Sequence, residues 1–324
     1  MIDNIGREIN YIRISITDRC DLRCVYCMPE EGVEALAHAE ILSFDEIARL
    51  CRIFASLGMD TVKLTGGEPL CRKGVVDLVK LVKSTSGVKE VTITTNGVAL
   101  PGHWQGLMEA GLDAVNISID TLDPGLYSRI TRRDRLTEAL TAIRMTAESG
   151  IAVKINCVPM CPEQKLWDVA QLAQALPVHV RFIEMMPIGS GKNYHFVSRD
   201  EIIVLLEAKF GKLMPCGEHL GNGPAEYYSI EGFKGRIGFI SAVSHKFCHQ
   251  CNRVRLTATG YLKTCLQYDA GVDLRALLRS GADDEAIKEA IVQAIHDKPV
   301  GHHFGEINFC ANDDETHSMS QIGG

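Results

Sequence analysis

The sequence predicts an α/β fold, six strand-and-helix units on a parallel sheet followed by a C-terminal region of different rhythm. Three observations predict it. Short β-branched runs recur at residues 11–17, 61–65, 91–95, 114–119, 152–158 and 179–185; helical patterns fill the gaps; and the alternation stops near residue 190. Each run is short and largely apolar, as for strands covered on both faces.

Taken in order, the helix expected over residues 43–57 starts at a capping box, Ser43 with Glu46, and stops at Gly58. Residues 75–84, 136–149 and 166–175 repeat the helical theme, so right-handed crossovers should lay the six strands side by side. The shift is placed at residues 189–193. Beyond it come a helix over 199–210, β-like pieces at 226–230 and 236–243, and a hairpin over 253–264 turning at Thr259-Gly260. The chain is therefore expected to divide into residues 1–190 and 191–324.

Polar residues gather where the expected strands end: Cys20 to Cys27, then Gly66-Gly67-Glu68-Pro69, Asn96-Gly97, Asp120 and Met186-Pro187. Parallel α/β folds build their sites from loops at the carboxyl ends of strands, so these segments should meet at one mouth.

Composition narrows the function. At 324 residues, 46% hydrophobic and 23% charged, the chain reads as one large globular body or a large one with an appendage. No run approaches the length of a membrane span. A formal charge of -7 argues against a general nucleic-acid binder, which needs a basic face, yet leaves room for a small anionic ligand held by a local cluster of Arg and Lys. Twelve Cys and no apolar signal segment read as a reduced, cytoplasmic set and not as disulfides.

Cys20, Cys24 and Cys27 lie in C-x3-C-x2-C spacing just after the first strand. Three thiolates can hold three irons of a cubic 4Fe-4S cluster, and with no fourth Cys at short range one iron is left open to bind a small molecule. Structural zinc is the competing reading, but it wants four donors, and the nearest extra one, His38, is ten residues or more away. A second set, Cys248, Cys251 and Cys265, reads by spacing alone as zinc more readily than as iron, with His245 or His249 as a fourth donor. Arg253 and Arg255 alternate on one strand beside it and so share a face; solvated hairpin charges are the bland alternative.

The motif Cys20-x3-Cys24-Val25-Tyr26-Cys27 is the signature of radical S-adenosylmethionine (SAM) enzymes. Over nearly its whole length the chain resembles one family of them, the GTP 3',8-cyclases that start molybdenum cofactor synthesis. The resemblance rests on residues 3–7, 11–29, 64–70, 94–97, 118–122, 181–189, 247–266 and 319–324. It implies an open six-stranded (β/α)6 partial TIM-type barrel with a C-terminal α+β iron-sulfur region. It also implies a second 4Fe-4S cluster on Cys248, Cys251 and Cys265, whose open iron takes the guanine of GTP.

By the same resemblance, Tyr26, Gly67, Ser118 and Met186 match positions that contact SAM. Arg13, Lys63, Thr94, Lys154, Arg253 and Arg255 match positions that contact GTP. Arg253 and Arg255 are also given a role in stabilising or protonating the late intermediate. The Gly323-Gly324 pair matches a segment that enters the active site. Two departures stand out: Lys63 replaces the more usual Arg and loses its bidentate fork, and Asp21 stands where Asn is usual. An external one-electron donor such as flavodoxin or ferredoxin is implied, and a homodimer is left open. Two other readings stay available, a peptide-modifying radical SAM enzyme and a non-enzymatic iron-sulfur sensor.

Overall fold

The computed structural model describes residues 1–34, 36–194, 196–218, 220–304, 315 and 317–323. Six parallel strands run in sequence order, β1 (Tyr11–Ser15), β2 (Thr61–Thr65), β3 (Glu90–Thr95), β4 (Ala114–Ser118), β5 (Ala152–Cys157) and β6 (His179–Ile183). Helices α1 (Phe44–Ser56), α2 (Val75–Lys83), α3 (Leu100–Glu109), α4 (Pro124–Thr131), α5 (Leu136–Ala147) and α6 (Leu166–Ala175) connect them. The capping box of α1 forms as expected, with the Ser43 hydroxyl accepting from Glu46 N and Glu46 accepting from Ser43 N. Such a cap contributes roughly 1 kcal/mol to helix stability.

The C-terminal region adds α7 (Arg199–Phe210), β7 (Met214–Cys216), β8 (Glu226–Ser229), β9 (Ile237–Ile240), β10 (Arg253–Leu256), β11 (Tyr261–Lys263), β12 (Gly271–Asp273), α8 (Leu274–Arg279), α9 (Asp284–His296) and α10 (Met319–Ile322). All twelve strands share one sheet, ordered β12-β11-β10-β1-β2-β3-β4-β5-β6-β9-β8-β7. The sheet runs on through the shift expected at residues 189–193, where a 3₁₀ turn lies. Strand β10 pairs parallel with β1 and β9 parallel with β6, so C-terminal strands extend both edges of the arc. Antiparallel strands then flank each side. The result is a partial TIM-type barrel.

The strands are buried on both faces, but only one face is apolar. Ile12, Ile14, Val62, Leu64, Val91, Ile93, Val115, Ile117, Val153, Ile155, Val180 and Phe182 form the outer row and are at most 2% exposed. Each such side chain contributes about 1.5–3 kcal/mol by leaving water, and together they fix the strands against the helices. The opposite phase, Arg13, Lys63, Thr94, Asn116, Ser118, Asn156, Arg181, Arg253 and Arg255, faces the inside. A one-residue slip in any strand would exchange these two sets, so the apolar outer row fixes where the polar residues point. Among the described residues no helix is long and apolar enough to cross a membrane.

Candidate active site

One cavity of about 350 Å³, within the range of small-molecule sites, opens at the carboxyl ends of the parallel strands. Its described lining holds six cysteines, in two sets of three.

The first set sits on the loop after β1. Backbone bonds fix that loop: Gly67 N donates to Thr17 O (2.8 Å), Glu68 N to Arg19 O (2.7 Å), and Arg23 and Val25 N to Thr131 and Ile130 O (2.9 Å each). The contact with the loop after β2 is so close that a Cβ on Gly66 would lie 2.4 Å from Thr17 O, and one on Gly67 2.4 Å from Arg19 O. Only glycine fits there. Main chain is thereby brought to the cavity wall beside the thiols, where Tyr26, Ser118 and Met186 also lie.

Burial pushes all three thiols up, Cys27 to about 12, and nearby Asp21, Glu68 and Asp120 push in the same direction. Without a metal these groups stay protonated, so a bound cation must displace their protons. Two buried carboxyls complete this end. Glu68 accepts from Leu70 N (3.0 Å), Thr95 Oγ1 (2.8 Å) and Asn96 N (2.7 Å), and burial raises it to about 7. Asp120 accepts from Val158 N and the Tyr26 hydroxyl (2.8 Å each), and burial raises it to about 6. Asp21, where Asn was more usual, accepts from Asn96 Nδ2 (2.6 Å), a bond an Asn oxygen would also accept.

The second set lies opposite. Cys248 and Cys251 flank a 3₁₀ turn before β10, and Cys265 follows β11, so the hairpin closes the gap in sequence between them. Two buried cations hold this end. Arg7 donates to the carbonyls of Cys248 (2.9 Å), Pro299 (2.8 Å) and Val300 (3.1 Å), and Lys298 donates to those of Arg253 (3.0 Å) and Thr264. Burial pushes Cys251 up, but Lys298 and Arg253 outweigh it and bring the thiol down to about 7.

The donor sets can be tested against iron and zinc. Among the described residues, the only three His, Cys, Asp or Glu ligand atoms within 4.8 Å of one another belong to Asp269, Glu315 and His317. Both thiol trios are therefore spread wider. Thiolates 2.3 Å from one tetrahedral zinc would lie about 3.8 Å apart, whereas in a cubic cluster each thiolate holds its own iron. Neither trio has a fourth described cysteine in the cavity lining.

The same lining carries a row of cations. Arg255, Arg13 and Lys63 stand at one register on β10, β1 and β2. Burial, Arg181 and Arg13 pull Lys63 well below its ordinary value, and burial and the neighbouring arginines do the same to Arg255. Asn116, with its amide oxygen turned toward them, accepts from Lys63, Thr94 and Arg181. Arg253 lies over the Phe247 ring at 5.0 Å. Lys154 and Gly323 are the exceptions among the expected residues that are described, and Lys154 stands apart. It lies off the cavity lining, its ammonium against Gly221, and burial lowers it to about 8. The Gly323 carbonyl accepts from Arg255, while Gly324 lies outside the described residues.

Among the lining residues given no role from the sequence are Arg7, Asn116, Arg181 and Lys298. Arg181 and Asn116 had a signal, because each interrupts an apolar run in the same phase as Arg13 does in its own.

Comparison with known proteins agrees with this architecture. Residues 14–176 match the radical SAM superfamily and residues 178–304 match Molybdenum Cofactor Synthesis C. The GTP 3',8-cyclase of Pelotomaculum thermopropionicum is 44% identical over 330 residues, and that of Clostridium perfringens 42% over 327, each covering all of both chains. Among solved structures, Streptococcus suis SuiB bound to S-adenosylmethionine superposes with a TM-score of 0.63 over 92% of this chain and 68% of its own, at 15% identity. At that identity the likeness concerns the fold. A match to both family models along the chain, together with full-length identity above 40%, places this protein in the GTP 3',8-cyclase family of radical SAM proteins.

Proposed function

We propose that the chain converts GTP to 3',8-cyclo-7,8-dihydro-GTP, the first step of molybdenum cofactor synthesis. The observation that carries this reading is two separate thiol trios on one cavity whose lining also holds a row of cations, Arg255, Arg13 and Lys63, at one register. Cys20, Cys24 and Cys27 hold one 4Fe-4S cluster, and Cys248, Cys251 and Cys265 hold the other. When bound, the first cluster would supply the one electron that splits SAM into methionine and a 5'-deoxyadenosyl radical, which would take the ribose C3' hydrogen atom. The C3' radical then closes on guanine C8, and one electron and one proton complete the product.

The chain's own residues bind and orient. GTP carries roughly four negative charges, and the forks of Arg13, Arg253 and Arg255 match phosphate oxygens, with Lys63 as a point charge beside them. Thr94 and Lys154 take part from β3 and β5, Lys154 after a side-chain movement away from Gly221. Main chain at Gly66 and Gly67 receives the SAM amino group, with Tyr26, Ser118 and Met186 around it. Holding sugar and base in one conformation supplies much of the rate, because ring closure is intramolecular. Gly323, held through its carbonyl by Arg255, keeps the end of the tail beside the substrate. The electron comes from an external carrier such as flavodoxin or ferredoxin, and the protein works in the cytoplasm.

The test is anaerobic reconstitution followed by an iron count, expected at about eight per chain. SAM, reductant and each nucleoside triphosphate are then supplied in turn. Cyclised product should form with GTP alone. Zinc in the second trio with turnover intact, or equal turnover of ATP, would overturn the assignment.

A further inference from the structure

The hairpin β10–β11 carries two cations at one cross-strand position, Arg255 paired with Lys263. Arg255 donates to Gly323 O. Lys263 is 2% exposed and turns the other way along the tail, forming a buried ion pair with Glu315 and a second pair with Asp269 (3.0 Å). Glu315 is equally buried. Its N donates to Gln267 O (2.6 Å), and its carboxylate accepts from His317 N and faces His317 Nδ1, each at 2.7 Å. Between these two anchors α10 packs Ile322 and Met319 against Ile188, Met186 and Leu266.

We propose that the Lys263–Glu315 pair is a clasp that sets the register of the tail, placing the Gly323 carbonyl at Arg255. The inference rests on the cyclase reading above and deepens it. Lys263 and Glu315 touch neither trio; they are positioning residues. A buried pair suits this task because a carboxylate and an ammonium accept few alternative partners in a low dielectric, whereas an apolar contact tolerates sliding. The exposed part of the network, His317, stiffens the carboxylate from the solvent side.

Glu315→Gln keeps the shape and leaves Lys263 its bond to Asp269, so iron content should stay at about eight per chain. The ratio of 5'-deoxyadenosine to cyclised product should rise at least about tenfold, the loss expected for one buried charged hydrogen bond. Amide hydrogen exchange over residues 317–323 of the metal-free protein should quicken, because the tail loses the pair that fixes its register. His317→Ala, at a half-exposed site that the fold does not need, should raise the same ratio about threefold.

A double-mutant cycle separates placement from general stability. If the clasp acts through the tail, Glu315→Gln should cost little in a protein that already lacks Gly323 and Gly324. Additive losses, or a wild-type ratio and exchange rate in both substitutions, would overturn the clasp while leaving wild-type cyclisation in place. Absence of cyclised product from the wild-type protein would instead overturn the reading beneath it.

Discussion

Cys20, Cys24 and Cys27 lie among the carboxyls Asp21, Glu68 and Asp120, while Cys251 and Cys265 lie beside Lys298 and Arg253. The two ends of one cavity thus have opposite electrostatic surroundings. The chemistry assigned to them asks for that polarity. SAM brings a sulfonium and an ammonium, which carboxylates attract; GTP brings a polyanion, which the row of Arg13, Lys63 and Arg255 attracts. Each ligand is repelled from the other's end. The same contrast appears in the thiols, pushed up at the first trio and, at Cys251, brought down to about 7.

The strongest way to break this comparison is to remove one trio at a time. Cys20→Ser should abolish both SAM cleavage and cyclisation, because the radical begins there. Cys265→Ser should keep SAM cleavage and lose GTP turnover below detection. Quantifying 5'-deoxyadenosine and cyclised product in the two proteins reads the difference directly. Unchanged GTP turnover in Cys265→Ser would remove the role given to the second end.

A second test addresses the acidic end. Burial lifts Glu68 from 4.5 to about 7. A carboxyl whose folded value is raised stabilises the fold fully below its unfolded value, and that contribution is lost as pH climbs through the folded value. In metal-free protein the loss from Glu68 falls between about pH 4.5 and 7. Glu68→Gln should therefore remove about 3 kcal/mol of pH dependence across that window, as 1.36 kcal/mol per unit implies. Urea unfolding of both apoproteins at pH 5 and pH 8 measures it; parallel behaviour of the two would show that Glu68 is not the group responsible.

The two ends also differ in how far the sequence discloses them. Strands β1 to β6 fall where the β-branched runs lie, because each outer row is made of Ile, Val, Leu or Phe that can only face the helices. The acidic end is built largely from segments that directly follow those strands, so Cys20 to Cys27, Gly66 to Glu68 and Asp120 were visible as a group. The basic end is assembled over long separations. Arg7 reaches Cys248 from 241 residues away, and the parallel pairing of β10 with β1 places Arg255 beside Arg13. No local pattern announces such a pairing, because strand register between distant segments is set by the packed sheet. The inward polar phase left a fainter mark: Arg181 stands alone in a largely apolar run, in the phase Arg13 takes in its own, while Lys63 was picked out through the family resemblance. Helix α9 escaped notice too, although Asp283 caps it and Ile287, Ile291 and Ile295 mark its buried stripe at four-residue spacing.

The finest test asks whether the basic end works by charge alone or by the geometry of its donors. Arg255→Lys keeps the positive charge and the electrostatic contrast between the two ends, but replaces a planar fork by a point charge. A contact that depends on the fork should cost about 1.4 kcal/mol, a tenfold fall in kcat/KM for GTP. If the fork binds ground and transition states alike, the change appears in KM with kcat preserved; if it acts on the late intermediate, kcat falls as well. The substitution also shortens the reach to Gly323 O, so Gly323→Ala in the Arg255→Lys background should add less than it does alone. Full activity of Arg255→Lys would mean that net charge suffices at this end, and that the alignment of Arg13 and Arg255 across β1 and β10 serves attraction without fixing the phosphates.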